Sequence, residues 1–204
     1  MPGDTKFELI DGIVYMASPV KEDHDTYQLA GSGLLRDYAF ATPGCVAGLS
    51  PTIRLGKKDE PQPDGLLRLV PEVGGRSHVD ADGYLSGPVE LVLEVASSSE
   101  ARDLNQKKKA YLRRGVLEYV VVVIHRRTVI WFRRRGRIYV RIRPDRAGVL
   151  RSRVFPGLWL HAPALHEREE ALVRSTLEQG IASEEHIEFV RDLERRRQRQ
   201  PRRR

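Results

Sequence analysis

The feature that most constrains the fold is a charged residue inside an apolar run near the middle of the chain. Leu91, Val92, Leu93 and Val95 form the kind of run that is typical of a strand buried on both faces, and Glu94 interrupts it. An ionised carboxylate in such a strand is costly unless a cation, a hydrogen-bond partner or a metal compensates it. The sequence therefore predicts a buried strand that delivers a carboxylate to a site.

The residues after this strand change to a helical pattern. Ser97 and Glu100 have the spacing of a capping box, and Ser98 or Ser99 is an alternative cap, so we expect a helix that begins here and ends at Gly115.

Three polar residues of this helix share one of its faces. Asp103, Lys107 and Tyr111 are spaced four residues apart, so the helix can return Lys107 toward Glu94. One interpretation is a catalytic lysine that orients or deprotonates an attacking water, or stabilises charge on a phosphate. The other is a buried ion pair between Glu94 and Lys107 that serves the structure alone.

A second carboxylate is predicted upstream, where Pro63-Asp64 precedes a short apolar segment. This order places Asp64 at the start of a strand. Asp64 and Glu94 on neighbouring strands would hold Mg²⁺, or alternatively Mn²⁺, through oxygen ligands and leave waters on the ion. The pattern predicts a metal-dependent phosphodiesterase site.

The other segments predict an α/β (α+β) fold. Residues 7–17 have the pattern of a hairpin around Asp11-Gly12, with Glu8 just before the turn. Residues 24–40 have near-helical apolar spacing, and His24 in the first turn is more often a surface or capping residue than a catalytic one. Residues 72–88, rich in Gly, Ser and Asp, indicate a loop, and residues 90–124 indicate a βαβ unit with parallel strands.

Residues 128–143 predict a second hairpin around Arg135-Gly136. Its second strand alternates between an apolar set (Ile138, Val140, Ile142) and a polar set (Arg137, Tyr139, Arg141, Arg143). Arginines with an interleaved tyrosine suit phosphate contact and base stacking, which makes the polar set a candidate nucleic-acid surface. Charged residues also protect an exposed edge strand, and this second interpretation is slightly favoured.

Charge is unevenly distributed along the 204 residues. Residues 1–100 carry 16 acidic and 8 basic side chains, whereas residues 101–160 carry 17 basic and 3 acidic ones. A cation-binding cluster beside a phosphate-binding surface would have this polarity, and so would two unrelated solvated surfaces.

The sequence predicts a cytoplasmic protein. No apolar run approaches the roughly 20 residues that span a bilayer, and the N-terminus lacks a signal-peptide pattern, so we expect no membrane partner. A single cysteine, Cys45, excludes an internal disulfide and a cysteine-rich zinc site. No organic cofactor is expected.

The C-terminal segments differ in composition from the rest. We expect a nuclease-like domain over residues 1–160, a helical extension over residues 161–194 that packs on its own domain or on a second copy, and a disordered Arg-rich tail over residues 195–204.

Several motifs in order carry a resemblance to a known family. FELIDG, QPD, LVLEVASSS, ARDLNQKKKAY and GVLEY, over about residues 5–160, resemble the Uma-two type of "putative restriction endonuclease", a branch of the PD-(D/E)xK nuclease superfamily. The resemblance implies a restriction-endonuclease-like core, with a mixed sheet flanked by helices, and Mg²⁺-dependent cleavage of DNA. Paired cuts across a duplex would suit a homodimer.

The resemblance also implies residue roles. Asp64 matches the first acid of the superfamily and Glu94 the second, but Ala96 stands where the usual lysine is expected, so that role passes to Lys107 on the following helix. Glu8 matches a position that supplies a further ligand or holds a water. His24 and Asp103 match supporting positions. An inactive nuclease fold that only binds DNA or a partner is the alternative function, and RNA or a small phosphate is an alternative substrate.

Overall fold

The central element of the fold is a six-stranded mixed sheet with helices on both faces, seen in a computed structural model that describes residues 7–16 and 19–199. In these residues the strands are β1 (Phe7–Ile10), β2 (Ile13–Met16), β3 (Cys45–Leu49), β4 (Ile53–Arg54), β5 (Gly65–Leu69), β6 (His78–Val79), β7 (Leu85–Ser86), β8 (Leu91–Ala96), β9 (Glu118–Val123), β10 (Thr128–Arg135), β11 (Ile138–Ile142), β12 (Val149–Arg151) and β13 (Trp159–His161). The helices are α1 (Glu22–Ala41), α2 (Glu100–Arg102), α3 (Lys108–Arg114), α4 (Ala162–Glu167), α5 (Glu170–Ile181) and α6 (Glu184–Arg199). A π-helical segment, Asp103–Lys107, joins α2 to α3, and a 3₁₀ turn covers Pro71–Val73.

The strand order of the central sheet is β11-β10-β9-β8-β5-β3. Strands β8 and β9 are parallel, and the other neighbouring pairs are antiparallel. Every residue of β8 and β9 is buried, because helices cover both faces of these inner strands, and this burial explains their unbroken apolar runs. The predicted βαβ unit and the predicted mixed sheet with flanking helices are confirmed.

The two faces of the sheet bury different clusters. One face carries Leu67, Leu93 and Trp131 and packs against α1 and the C-terminal helices. The other carries Val92 and Tyr119 and packs against the segment α2–π–α3, which we call the site helix. We call this second face the site face.

The predicted hairpins are confirmed by the pairing of β1 with β2 and of β10 with β11, although Ala17 lies outside the described residues. The predicted loop over residues 72–88 is only partly a loop, since β6 and β7 form a small sheet with β4.

The C-terminal segment differs from its prediction. Leu165, Leu177 and Leu193 are buried in the same cluster as one face of the central sheet. The last helix, α6, continues to Arg199, so residues 195–199 are helical and not disordered, while residues 200–204 lie outside the described part of the chain. The division into domains stays a prediction. Within the described residues, no helix combines the length and the apolar character that spanning a membrane requires.

Two glycines of α1 provide a test of how this helix packs. A Cβ on Gly31 would lie 2.6 Å from Leu93 Cδ2 of the central strand, whereas a Cβ on Gly33 would meet nothing within 4 Å. We expect Gly31→Ala to lower the free energy of unfolding by about 1–3 kcal/mol through overpacking. Gly33→Ala should raise it by about 0.5–1 kcal/mol, because alanine is the better helix former. Urea denaturation of both variants measures this, and equal effects would contradict the packing described here.

Candidate active site

The two predicted metal ligands lie opposite each other on neighbouring strands. Gly65 of β5 pairs with Leu93 of β8, and continuing this antiparallel register by one residue places Asp64 opposite Glu94. Side chains at directly opposed positions project from the same face, about 5 Å apart at Cβ. The backbone N–H of Val95 donates to Asp64 Oδ2 over 2.7 Å, which fixes the carboxylate beside the end of β8.

Glu94 is held by two donors from the site helix. Lys107 Nζ lies 3.0 Å from each carboxylate oxygen, and the Tyr111 hydroxyl donates to Oε1 over 2.7 Å. The side chain is 4% exposed, and burial raises the pKa of Glu94 well above its usual value. Lys107 opposes this rise in pKa, whereas Asp103, Asp64 and Glu8 add to it.

Lys107 is the buried cation of the cluster. Its Nζ lies 2.8 Å from Glu8 Oε1 and 3.9 Å from Asp103 Oδ1, in addition to its two contacts with Glu94. Burial alone would lower the pKa of Lys107, but the surrounding carboxylates outweigh burial and raise it. The ammonium is therefore charged at neutral pH.

The π-helical segment lies where the helix meets the site. Asp103 and Lys107 are its two ends, and both side chains are buried against the sheet. Such single-turn insertions into α-helices are frequent at functional sites. The Ser99 hydroxyl donates to Asp103 Oδ2 over 2.5 Å, and the Tyr119 hydroxyl donates to the Asp103 carbonyl over 3.0 Å, which anchors the first end.

The predicted start of the site helix is only partly correct. Ser99 occupies the N-cap position but makes no side-chain cap, and Glu100 pairs with Arg126 at 2.6 Å and does not close a capping box with Ser97. The predicted end is confirmed, since Gly115 adopts a left-handed φ of 89° and accommodates the turn into β9.

The N-terminal hairpin brings Glu8 into the cluster. The Gln62 N–H donates to Glu8 Oε1 over 2.8 Å, and a backbone bridge joins Leu9 to Glu60. On the second strand of the hairpin, the Tyr15 hydroxyl donates to Gln106 Oε1 over 2.8 Å. The hairpin is thus docked between the segment before Asp64 and the site helix.

His24 lies beside Asp64 at the open side of the cluster. Its Nε2 is 3.5 Å from Asp64 Oδ2, and the two side chains are 21% and 17% exposed, whereas Glu94 and Lys107 are each 4% exposed. The contact with Asp64 raises the pKa of His24 against the effect of burial. Solvent therefore reaches the cluster beside Asp64.

The donor set of the cluster fits a hard divalent cation. Three carboxyl groups (Glu8, Glu94, Asp103) contact one lysine and a fourth, Asp64, lies opposite Glu94, so carboxyl groups outnumber cations even when His24 is protonated. Among the described residues Asp64 Oδ1 has no hydrogen-bond partner. Glu94 accepts three hydrogen bonds from its two donors, whereas a carboxylate has about four acceptor positions. In this part of the chain no three acidic, His or Cys side chains converge as a ready-made metal site. Mg²⁺ does not need one, since it is usually bound through one or two carboxylates, waters and substrate phosphates.

Comparison with known proteins identifies the family. The sequence matches the family Uma2, described as "Putative restriction endonuclease", over residues 1–163. The chain belongs to the Uma2 family. This confirms the resemblance found in the sequence, and the family description supports a nuclease.

The fold of this Uma2 protein resembles a solved structure. The crystal structure of a "putative nuclease belonging to DUF820" from Anabaena variabilis ATCC 29413 matches with a TM-score of 0.61 and 13% sequence identity. The match covers 79% of this chain and 89% of that chain. At this identity the likeness shows the fold alone. No curated protein matches the sequence.

Two residues that support the site in this Uma2 protein were not predicted from its sequence. Gln28 Nε2 and the Ser32 hydroxyl, both on α1, donate to the backbone carbonyl of Asp64 over 3.3 and 3.2 Å. Both residues precede the strand by more than 30 positions, so only the tertiary fold brings them to it. Their four-residue spacing on a helix was the one signal in the sequence.

The second predicted surface, the hairpin β10–β11, is only partly exposed. Arg137, Arg141 and Arg143 are exposed, and among the described residues none of the three makes an ion pair. Tyr139 differs from its prediction, because its hydroxyl donates to the Val116 carbonyl over 2.9 Å and its ring packs against Tyr119. This side chain is half-buried against the core, so less of its ring is available for base stacking than the sequence predicts.

Proposed function

We propose that this Uma2 protein is a Mg²⁺-dependent endonuclease that hydrolyses DNA phosphodiester bonds. The observation that carries the proposal is the register that sets Asp64 opposite Glu94 in a cluster where carboxyl groups outnumber cations. Family membership supports the nuclease class, whereas the metal, the reaction and DNA as substrate belong to the proposal.

Asp64 and Glu94 would hold the ion. When bound, it supplies a Lewis acid for the phosphate and a water that is activated for attack. The Asp64 side chain lies at the open side of the cluster; Val95 N–H holds Oδ2 in place, and Oδ1 accepts no hydrogen bond from the described residues. Glu94 completes the pair from the buried side.

Lys107 acts in this proposal as a cation and not as a general base. Its raised pKa keeps the ammonium protonated, and a protonated amine cannot accept a proton from water. Its three N–H groups are directed at Glu94 and Glu8. Lys107 therefore positions Glu94, and its positive charge offsets the negative charge of the carboxylates and of an approaching phosphate.

The remaining residues of the cluster have supporting roles. Burial raises the pKa of Tyr111 well above its usual value, so its hydroxyl stays a hydrogen-bond donor to Glu94. Glu8 and Asp103 hold the Lys107 ammonium from two other sides. His24 contacts Asp64 Oδ2, the oxygen that also accepts from Val95 N–H, and limits how that carboxylate rotates.

The alternative function is a nuclease fold that only binds DNA or a partner. The observation in its favour is the paired state of Glu94, whose oxygens are both engaged by Lys107. Such a saturated pair is also what a purely structural ion pair would show. Cleavage assays separate the two functions.

The test of the proposal is cleavage of supercoiled plasmid by the purified protein in Mg²⁺, Mn²⁺ or EDTA. We expect nicked and linear products with either metal and none with EDTA. A single-stranded RNA of comparable length, assayed in parallel, tests the assignment to DNA. Absence of cleavage in both metals, with the protein folded, would favour the binding module. Light scattering of the same sample tests for the homodimer that paired cuts across a duplex would suit.

The proposal also predicts a pH dependence. Metal binding requires the ionised form of Glu94, and the raised pKa means that this carboxyl keeps its proton above the usual range for glutamate. At subsaturating Mg²⁺ the initial nicking rate should therefore rise with pH through that higher range and then level off. Saturating Mg²⁺ should shift the rise to lower pH, because the cation competes with the proton. A profile that does not move with Mg²⁺ concentration would contradict this linkage.

A further inference from the structure

The hairpin β10–β11 carries a strong positive charge that the proposed cleavage site does not use. Six arginines lie on its two strands, in its turn or directly after β11, and the sequence from residue 119 to residue 144 contains no acidic residue. They are Arg133, Arg134, Arg135, Arg137, Arg141 and Arg143. Among the described residues none of them forms an ion pair, so each charge is available to an anion.

The strand register divides these arginines between the two faces of the sheet. Phe132 is the cross-strand partner of both Tyr119 and Arg141, so Arg141 projects from the site face. Arg134 pairs with Tyr139, whose ring packs on Tyr119, so Arg134 projects from the same face.

Arg133 and Arg135 lie on the other face. They pair with Val140 and Ile138, which alternate with Tyr139 along β11. These two arginines therefore lie on the same strand as Arg134 and carry the same charge, but their side chains project from the opposite face of the sheet.

The site face of the hairpin connects to the proposed cleavage site through the sheet and the site helix. Lys108, which follows Lys107 in the chain, places its Nζ 3.9 Å from the centre of the Phe132 ring. Continuing the β10–β11 register by one residue sets Arg143 opposite Ile130, and Ile130 pairs with Val121, the partner of Glu94. Arg143 thus lies three strands from Glu94 in one row, about 15 Å at the usual strand spacing.

Protection of an edge strand accounts for only part of this charge. Strand β11 is the edge of the sheet, and its arginines suit that role. Arg134 lies on β10, whose two edges are both paired, so edge protection gives no reason for its charge.

We infer that Lys108, Arg134, Arg141 and Arg143, the basic stripe, form the surface that holds the phosphate backbone of duplex DNA beside the proposed cleavage site. Spaced guanidinium groups suit contact with backbone phosphates, whereas proteins that hold single strands also supply aromatic rings on which the bases stack. Tyr139, the one aromatic residue on this face of β11, is half-buried against the core, with its hydroxyl bound to the Val116 carbonyl and its ring packed on Tyr119. This inference rests on the proposed function, because it assigns the surface that binds the substrate.

The test is the salt dependence of binding to a fluorescently labelled 20-base-pair duplex, measured by anisotropy in EDTA so that no cleavage occurs. The variant R134Q/R141Q removes two charges from the basic stripe, and R133Q/R135Q removes two from the opposite face. We expect the first variant to bind the duplex at least about tenfold more weakly. The negative slope of log K against log salt should become shallower by about 0.9 for each phosphate that is no longer neutralised. The second variant should bind like the wild type, and thermal melts confirm that both are folded.

Equal weakening in the two variants would show that only bulk charge matters and would overturn the inference. So would single-stranded RNA that binds as tightly as the duplex and responds to the same variant. If R134Q/R141Q weakens DNA binding but the wild type does not cleave in Mg²⁺, the proposed function is contradicted. The basic stripe is then still supported as a DNA-binding surface. Cleavage in Mg²⁺ together with DNA binding that R134Q/R141Q does not weaken would support the proposed function and overturn the inference about the basic stripe.

Discussion

Glu94→Gln should reduce metal-dependent DNA cleavage at least about a hundredfold while the protein stays folded. The amide removes the anionic ligand from the buried side of the site, and loss of one preorganised electrostatic interaction typically costs about 10²–10³ in rate. The fold should tolerate the change. An amide oxygen at the Oε1 position keeps its hydrogen bonds from Lys107 and Tyr111. Initial rates of plasmid nicking at saturating Mg²⁺ measure the effect.

Glu118→Gln is the matched control. Glu118 is a buried carboxylate on the neighbouring strand, but it accepts from Trp131, Ser152 and the Arg153 N–H outside the cluster. At a temperature at which both variants are folded, Glu118→Gln should cleave like the wild type. Equal rates for Glu94→Gln and the wild type would remove Glu94 from the site, and equal losses in both variants would show a general effect on the fold.

Lys107→Met should lower the free energy of unfolding by about 3–5 kcal/mol at neutral pH, the usual cost of leaving buried charge without its partner. Lys107 is the cation shared by Glu94, Glu8 and Asp103, and methionine fills a similar space without charge. The loss should be smaller at acid pH, because protonation of these carboxyls removes the repulsion that the substitution exposes. Urea denaturation at two pH values measures both effects.

Lys109→Met is the control for Lys107→Met. Lys109 is exposed two residues further along the site helix, so its substitution should change the free energy of unfolding by no more than about 0.5 kcal/mol. Mg²⁺ should restore part of the stability of Lys107→Met, because a cation that binds only the folded state stabilises it. A loss below about 1 kcal/mol, or one that is insensitive to pH, would contradict the role of Lys107 as the shared cation.

Local sequence patterns were sufficient for the elements that hold the site. The apolar run around Glu94 predicts a strand buried on both faces, and β8 is buried throughout. The four-residue spacing of Asp103, Lys107 and Tyr111 predicts one helical face, and the latter two contact Glu94. These predictions succeed because burial on both faces and helical periodicity depend on residues that are close in the chain.

Long-range features of the site were not predictable in the same way. That Asp64 stands directly opposite Glu94 depends on how β5 pairs with β8, a register between segments about 30 residues apart. Glu8 was assigned only through family resemblance, because nothing near it in sequence shows that the hairpin docks against Lys107. The π-helical segment was missed, because the four-residue spacing of Asp103 and Lys107 fits a wider π turn as well as an α-helical one.

For Tyr139 the alternation along β11 predicts the direction of the side chain correctly but does not predict how far the ring is buried. The alternation along β11 correctly separates Tyr139 from Val140, but it cannot show which residues of other elements share its face. In the fold that face carries Tyr119 and Phe132, which bury the tyrosine ring. The arginines on either side of it reach beyond this cluster and stay exposed.

Calorimetric titration of the metal-free protein with Mg²⁺ and Mn²⁺, in the wild type and in Asp64→Asn, tests whether Asp64 and Glu94 hold a divalent cation. We expect a saturable site in the wild type, with proton release that grows as the pH falls toward the raised pKa of Glu94, and a loss of binding in Asp64→Asn. Binding that is unchanged in Asp64→Asn would place the metal elsewhere. If neither ion binds, with or without DNA present, the proposal of a metal-dependent nuclease site is contradicted.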